Sequence, residues 1–213
     1  MELWNQAVEV LREAMFAYAQ ATTGSLAVGI IAVTFLARLA LFPLTLRLAR
    51  ASAAHQAALR KIQPKLDAVR RRFKGEPQRV ATETRRLLVR EKVTPLPTAG
   101  CTGTLLQAPI LLALFSAARR CAAVGGRFWW VPDIAKPDVV LAVVVALLTA
   151  ASVLAGPQIQ GQHRALVIAV PVLLTLVALS KMAAGIGLYW GVSSAFSVVQ
   201  GLVAKRQLSR AAA

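Results

Sequence analysis

Residues 25–46, SLAVGIIAVTFLARLALFPLTL, form an apolar stretch with a single charge inside it, Arg38. As a helix rising about 1.5 Å per residue, the stretch crosses a bilayer core of about 30 Å. Arg38 then lies about 12 Å inside the end near Leu46, farther than an Arg side chain comfortably snorkels. An Arg left in hydrocarbon costs at least about 2.5 kcal/mol. Either an acid pairs with it, or it faces a cavity that holds water or a ligand. The acids of the chain all fall within residues 2–13, 67–91 and 133–138, outside every apolar stretch. An internal salt bridge is therefore disfavoured, and a wet cavity is the economical solution.

The composition agrees with a membrane setting. The chain of 213 residues is 57% hydrophobic yet carries a formal net charge of +16. Soluble domains rarely combine the two, whereas a multi-span protein with basic loops on one side does so naturally. The opening MELWNQAVEVLREAM is acidic and amphipathic, unlike a cleavable signal peptide, so the first span is expected to be retained. Cys101 and Cys121, if on one helix, stand about 30 Å apart, beyond disulfide reach. His55 and His163 have no companions at ligand spacing, so no metal site and no cofactor are expected.

Along the chain, Trp4, Ala7, Val8, Leu11, Ala14, Met15 and Tyr18 recur at helical spacing, predicting an amphipathic helix to about residue 21. Two placements fit it equally: the membrane surface, or the side of a helix bundle. After the first span the composition inverts, with fourteen Lys or Arg against four Asp or Glu over residues 47–92. Leu59, Ile62, Leu66, Val69 and Phe73 step by 3, 4, 3, 4, and Val80, Thr84, Leu87 and Glu91 echo them, as at a seam between two helices. Lys74-Gly75-Glu76-Pro77 is the turn between those helices, and Pro64 is expected to kink or restart the first. Thr94-Pro95-Leu96-Pro97 closes the pair. Further apolar spans follow at 101–118, 139–155, 165–180 and 185–204. Between the second and third lies a loop whose Phe128, Trp129 and Trp130 suit a membrane interface.

The fold expected is thus an all-α membrane protein of five transmembrane helices. Its segments are an N-terminal extracytoplasmic amphipathic helix (1–24), a first span (25–46), a cytoplasmic basic helical hairpin (47–98), a second span (99–118), an extracytoplasmic loop (119–138), the third to fifth spans (139–204) and a cytoplasmic tail (205–213). The positive-inside rule places the N-terminus outside and the C-terminus in the cytoplasm, since the reverse would put the large basic excess outside.

Tyr189, Ser193, Ser197 and Gln200 share one face of the fifth span, with Trp190 beside it, and Gln107 is the strongly polar side chain of the second. They are candidate walls for the cavity around Arg38, although serines at such positions also serve plain helix packing. Arg60, Lys61, Lys65, Arg70, Arg71 and Arg72 make the hairpin a candidate surface for anionic lipid or ribosomal RNA, or simply a solvated topology determinant. No nucleophile, base and orienting group stand together, and no Gly-rich phosphate loop or paired carboxylates occur, so enzymatic chemistry is not expected. A fixed cation in a wet intramembrane cavity offers attraction to anionic groups, whether on a passing polypeptide or on a small anion in a channel or transporter.

Several motifs, in order, resemble the YidC/Oxa/Alb membrane-protein insertases. They are RLALFPLTLR of the first span, KIQPKLDAVRRRFKGEPQRV of the hairpin, LLQAPILLALFSA of the second span, FWWVPDIAKPD of the loop and GIGLYWGVSSAFSVVQ of the fifth span. The resemblance covers nearly the whole chain. It implies five spans around a hydrophilic groove open to cytoplasm and lipid but closed outside, in a bacterial plasma membrane or an organellar inner membrane. It further implies that Arg38 attracts acidic residues of short substrate tails, that Trp190 lines the groove, and that the hairpin and tail contact the ribosome, the nascent chain or the Sec translocon. The apparent lack of a transit peptide favours the bacterial membrane.

Overall fold

A computed structural model describes residues 2–94, 98–156 and 164–211, with side chains over 2–94, 107–156 and 165–206. The described residues form seven helices and no strand: α1 (Glu2–Ala21), α2 (Leu26–Arg72), α3 (Pro77–Arg90), α4 (Thr98–Ala122), α5 (Val139–Ala155), α6 (Arg164–Leu179) and α7 (Ala184–Ala211). Two of them are long and apolar enough to cross a membrane, α2 and residues 184–206 of α7. Helix α5 and residues 165–179 of α6 are apolar but shorter. The 17 residues of α5 rise about 25 Å. The expected closing turn at Pro95–Pro97 and the polar turn over residues 157–163 lie outside the described residues.

Helix α1 folds back along α2. Gly24, at φ +71°, makes the turn between them, and its N–H reaches the Ala19 carbonyl at 2.7 Å. Val8, Met15 and Ala19 are buried against the bundle, while Trp4, Ala7, Ala14 and Tyr18 of the apolar stripe stay exposed, so packing uses only part of it. Leu3 and Val10 nevertheless remain 83% and 64% exposed. Gly29 of α2 makes this close approach possible: a Cβ there would stand 2.1 Å from the Met15 carbonyl oxygen. Midway along its length α1 is pinned by charge, Glu9 pairing with Arg12 at 2.9 Å and with Arg120 of α4.

Helix α2 runs unbroken for 47 residues, through both Pro43 and Pro64. The expected restart at Pro64 does not occur, so the apolar and basic halves are one rod. Beyond the turn at Lys74–Glu76, where Gly75 adopts φ +97°, α3 packs back on the rod's basic half. The seam joins Ile62 and Leu66 to Leu88, with Leu59, Leu87 and Val93 alongside. Glu91 is spent on an ion pair with Lys65 at 2.5 Å.

Helix α7 is the hub, touching α2, α4, α5 and α6. Its direction relative to each can be read from paired contacts. Arg38 meets Ser193 and Thr45 meets Gln200, a constant offset along both chains, so α2 and α7 are parallel. Gly187 faces Leu141, Gly191 faces Val145 and Gly201 faces Ala155, so α5 and α7 are parallel as well. Gly185 abuts Ala122 while Tyr189 reaches back to Leu111, so α4 is antiparallel to α7. Spans that alternate in direction through a membrane would give these senses.

The segment 123–138 closes one end of the bundle. Val131 and Ile134 are buried in the main core with Leu179, Ala184 and Ile186. Carbonyls of Ile134 and Lys136 accept from the Gly185 and Ala184 N–H groups at 2.9 Å, satisfying donors at the start of α7. The Ser25 hydroxyl, 3.3 Å from the Arg127 carbonyl, ties the start of α2 to the same segment. Asp138 caps α5, its side chain accepting from the Leu141 N–H at 2.6 Å.

Candidate functional site

Arg38 stands twelve positions into α2, held between α4 and α7 and only 8% exposed. It lines a cavity of about 240 Å³ with Leu111, Leu112 and Phe115 of α4 and Tyr189, Trp190 and Ser193 of α7. The volume could hold a carboxylate side chain with a few waters, taking about 30 Å³ per water. The walls are chiefly apolar, so the guanidinium is the dominant charge. Its Nε donates to the Ser193 Oγ at 3.2 Å. Among the described residues, no carboxylate lies within ion-pair distance of it.

Apolar contacts fix the frame. Phe196 of α7 stacks edge-on against Phe35 at 5.1 Å and against Phe42 at 6.4 Å, clamping the helices on either side of Arg38. Such pairs contribute about 0.5–1.5 kcal/mol each beyond the area they bury. The Tyr189 hydroxyl donates to the Leu111 carbonyl at 3.0 Å and its ring packs on Phe115, which sets α4 as the third wall. One heptad along from the Arg38–Ser193 contact, the Gln200 amide donates to the Thr45 hydroxyl, and both side chains are buried.

Of the candidates read from the sequence, Arg38, Tyr189, Trp190 and Ser193 are brought together at this cavity. Ser197 donates to its own helix at the Ser193 carbonyl, 3.0 Å away, and is not among the lining residues. Gln107, half-buried, is not among them either. Leu111, Leu112 and Phe115 also line the cavity, and nothing in the sequence pattern marks them. The i, i+4 spacing of Leu111 and Phe115 was visible, but every turn of that apolar helix offers such a pair.

The basic residues of α2 divide by environment. Lys65 and Arg70 are committed to Glu91 and Asp67, at 2.5 and 3.5 Å. Arg72 lies over the Phe73 ring at 5.6 Å. Lys61, Arg71 and Arg72 are exposed, and Arg60 is half-buried with interactions of its own. No group of three or more His, Cys, Asp or Glu that could hold a metal ion occurs among the described residues.

Comparison with known proteins gives a consistent picture. The profile of a family described as 60Kd inner membrane protein matches residues 18–211. A relative from Ralstonia nicotianae, named membrane protein insertase YidC, is 32% identical over 177 residues, covering 80% of this chain and 31% of the relative. One of the same name from Vibrio cholerae is 32% identical over 189 residues, covering 85% of this chain and 33% of the relative. A third, membrane protein insertase YidC 1 of Halalkalibacterium halodurans, is 31% identical over 198 residues, covering 87% of this chain and 72% of the relative. The chain thus spans about a third of the length of the first two and most of the third.

Proposed function

The chain belongs to the YidC/Oxa/Alb family, described as 60Kd inner membrane protein, and from that membership we propose that it is a membrane-protein insertase that works without nucleotide hydrolysis. It resides in a bacterial inner membrane with five spans, formed by the apolar half of α2 and by α4, α5, α6 and α7. The N-terminus is outside and the C-terminus in the cytoplasm. The parallel senses of α2, α5 and α7 and the opposed sense of α4 support that layout.

A nascent apolar segment arrives from the cytoplasmic side. Its polar tail enters the cavity at Arg38, and the apolar segment leaves sideways into lipid. The guanidinium lowers the cost of bringing a carboxylate into a low-dielectric space, because the pair attracts strongly where water is scarce. Burial of the segment's own apolar surface, at about 25 cal/mol per Å², drives release. The segment 123–138, packed through Val131 and Ile134, keeps the outer end shut until the tail crosses.

The observation that carries this reading is a buried arginine lining a cavity with no carboxylate of the described chain to pair with it. Its counter-ion is then the substrate's. Arg38→Ala should slow insertion of substrates with acidic translocated tails about tenfold or more in reconstituted liposomes, the loss of roughly 1.4 kcal/mol or more. Arg38→Lys should recover only part, since a point charge lacks the planar fork. Wild-type rates for Arg38→Ala would remove the electrostatic role. Anion flux through protein-bearing liposomes, if observed, would instead favour a small-anion channel.

The exposed charges at Lys61, Arg71 and Arg72 would give the basic rod a docking surface for anionic lipid, ribosomal RNA or a Sec partner. The chain's substrates are nascent membrane proteins.

A further inference from the structure

We infer that Ser193 is a positioning residue: its hydroxyl orients the Arg38 guanidinium so that an incoming carboxylate meets the end of the fork. This rests on the reading of Arg38 as the cation that receives acidic tails. Ser193 and Arg38 are 7% and 8% exposed, and they are linked across α7 and α2 at 3.2 Å through Nε.

A guanidinium can grip a carboxylate along two edges, one formed by Nε with one Nη and the other by the two Nη groups together. With Nε–H committed to the Ser193 oxygen, the first edge is blocked. The edge formed by the two Nη groups remains, beside the Tyr189 hydroxyl, and a carboxylate docks end-on. The same bond removes rotamer freedom that a long side chain would otherwise lose when it binds, so the cation is set before the substrate arrives.

Neighbouring hydroxyls behave differently. Ser197 donates to the Ser193 carbonyl within its own helix, and Thr149, which donates to the Val145 carbonyl, meets the Ser194 hydroxyl of α7 at 3.4 Å. The Tyr189 hydroxyl donates to the Leu111 carbonyl and also interacts with the Arg38 guanidinium. Ser193 is the hydroxyl that accepts from the Arg38 Nε. Packing alone would be served by Ala in its place, but Nε–H would then lose its Ser193 acceptor.

The test uses the full chain in liposomes and a pair of single-span substrates, one with two Asp in the translocated tail and its twin with Asn. The readout is the ratio of their insertion rates, which cancels general damage to folding or to the apolar path. Wild type should favour the Asp tail. Ser193→Ala should lower the ratio at least about fivefold. Ser193→Thr, which keeps the oxygen, should restore it, and Arg38→Ala should abolish it. If Ser193→Ala keeps the wild-type ratio while Arg38→Ala loses it, the positioning role is wrong and the role of Arg38 stands. If Arg38→Ala also keeps the ratio, both fall. If Ser193→Thr is as impaired as Ser193→Ala, the site's shape matters and not its oxygen, which overturns the inference as well.

Discussion

Arg38 draws its interest from the expense of burying a charge. The side chain is 8% exposed in an apolar frame, met by the Ser193 and Tyr189 hydroxyls. One turn earlier on the same helix, Thr34 is fully buried and its Oγ1 has no hydrogen-bond partner. The two cases differ in kind. A permanent cation must be compensated, and the cavity offers the place for it; an unpaired hydroxyl merely wastes stability. Thr34→Val should therefore be neutral or stabilising by up to about 1 kcal/mol, read as thermal unfolding in detergent micelles. A loss of similar size would mean that the hydroxyl bonds to something within the bundle. At this scale much of the site was legible. A charge inside an apolar run is anomalous wherever it occurs, and Tyr189, Trp190 and Ser193 stood at helical spacing. Leu111, Leu112 and Phe115 were not legible, because an apolar side chain facing a cavity and one facing lipid look alike in sequence.

Among the elements, α1 shows best how local pattern leaves a choice open. Its apolar stripe suited either a membrane surface or a bundle, and the fold packs part of it on the bundle through Val8, Met15 and Ala19, with Gly29 giving room, while Trp4 and Tyr18 stay exposed. Charge completes the docking. Hydrogen bonding and attraction from Arg12, together with Arg120, hold the Glu9 carboxyl below its ordinary value, while Glu9 in turn raises the Arg12 guanidinium. A carboxyl depressed in the folded state adds stability that is full above its ordinary value, about 4.3, and is lost as pH falls through the lower folded value. Both partners are well exposed, so the effect is small and screened by salt. A spin label at Asn5→Cys should report constant mobility of α1 from pH 8 to pH 5, then loosening below about pH 4.3. In a Glu9→Gln background the profile should be flat. If the mobility in wild type is flat as well, charge does not dock this helix. Helix α2 teaches a complementary point. Pro64 reads as a breaker, yet the rod passes through it, because the seam with α3 supplies packing on either side at Ile62 and Leu66.

For the whole molecule, the proposed topology makes a sharp prediction. With the native cysteines replaced, a cysteine at Gly126 should react with an impermeant maleimide added outside intact cells. One at Gly75 should react only after the membrane is opened. The reverse pattern would overturn the N-out orientation, and labelling of both from outside would overturn the span count. Hydropathy and the bias of Lys and Arg were enough to lead from sequence to an all-helical membrane protein with a strongly basic helical segment after its first span, because both are sums over residues and need no neighbours. The anomaly of Arg38 was equally local, since no acid shares its stretch. What lay across from it was not. That α2 and α7 run parallel with Arg38 set against Ser193, that α4 closes the cavity through Leu111 and Phe115, and that Val131 and Ile134 seal the end of the bundle all depend on residues far apart in the chain. Helical periodicity assigns a face to each side chain but not the partner that face will meet. Only packing of the helices against one another decided that.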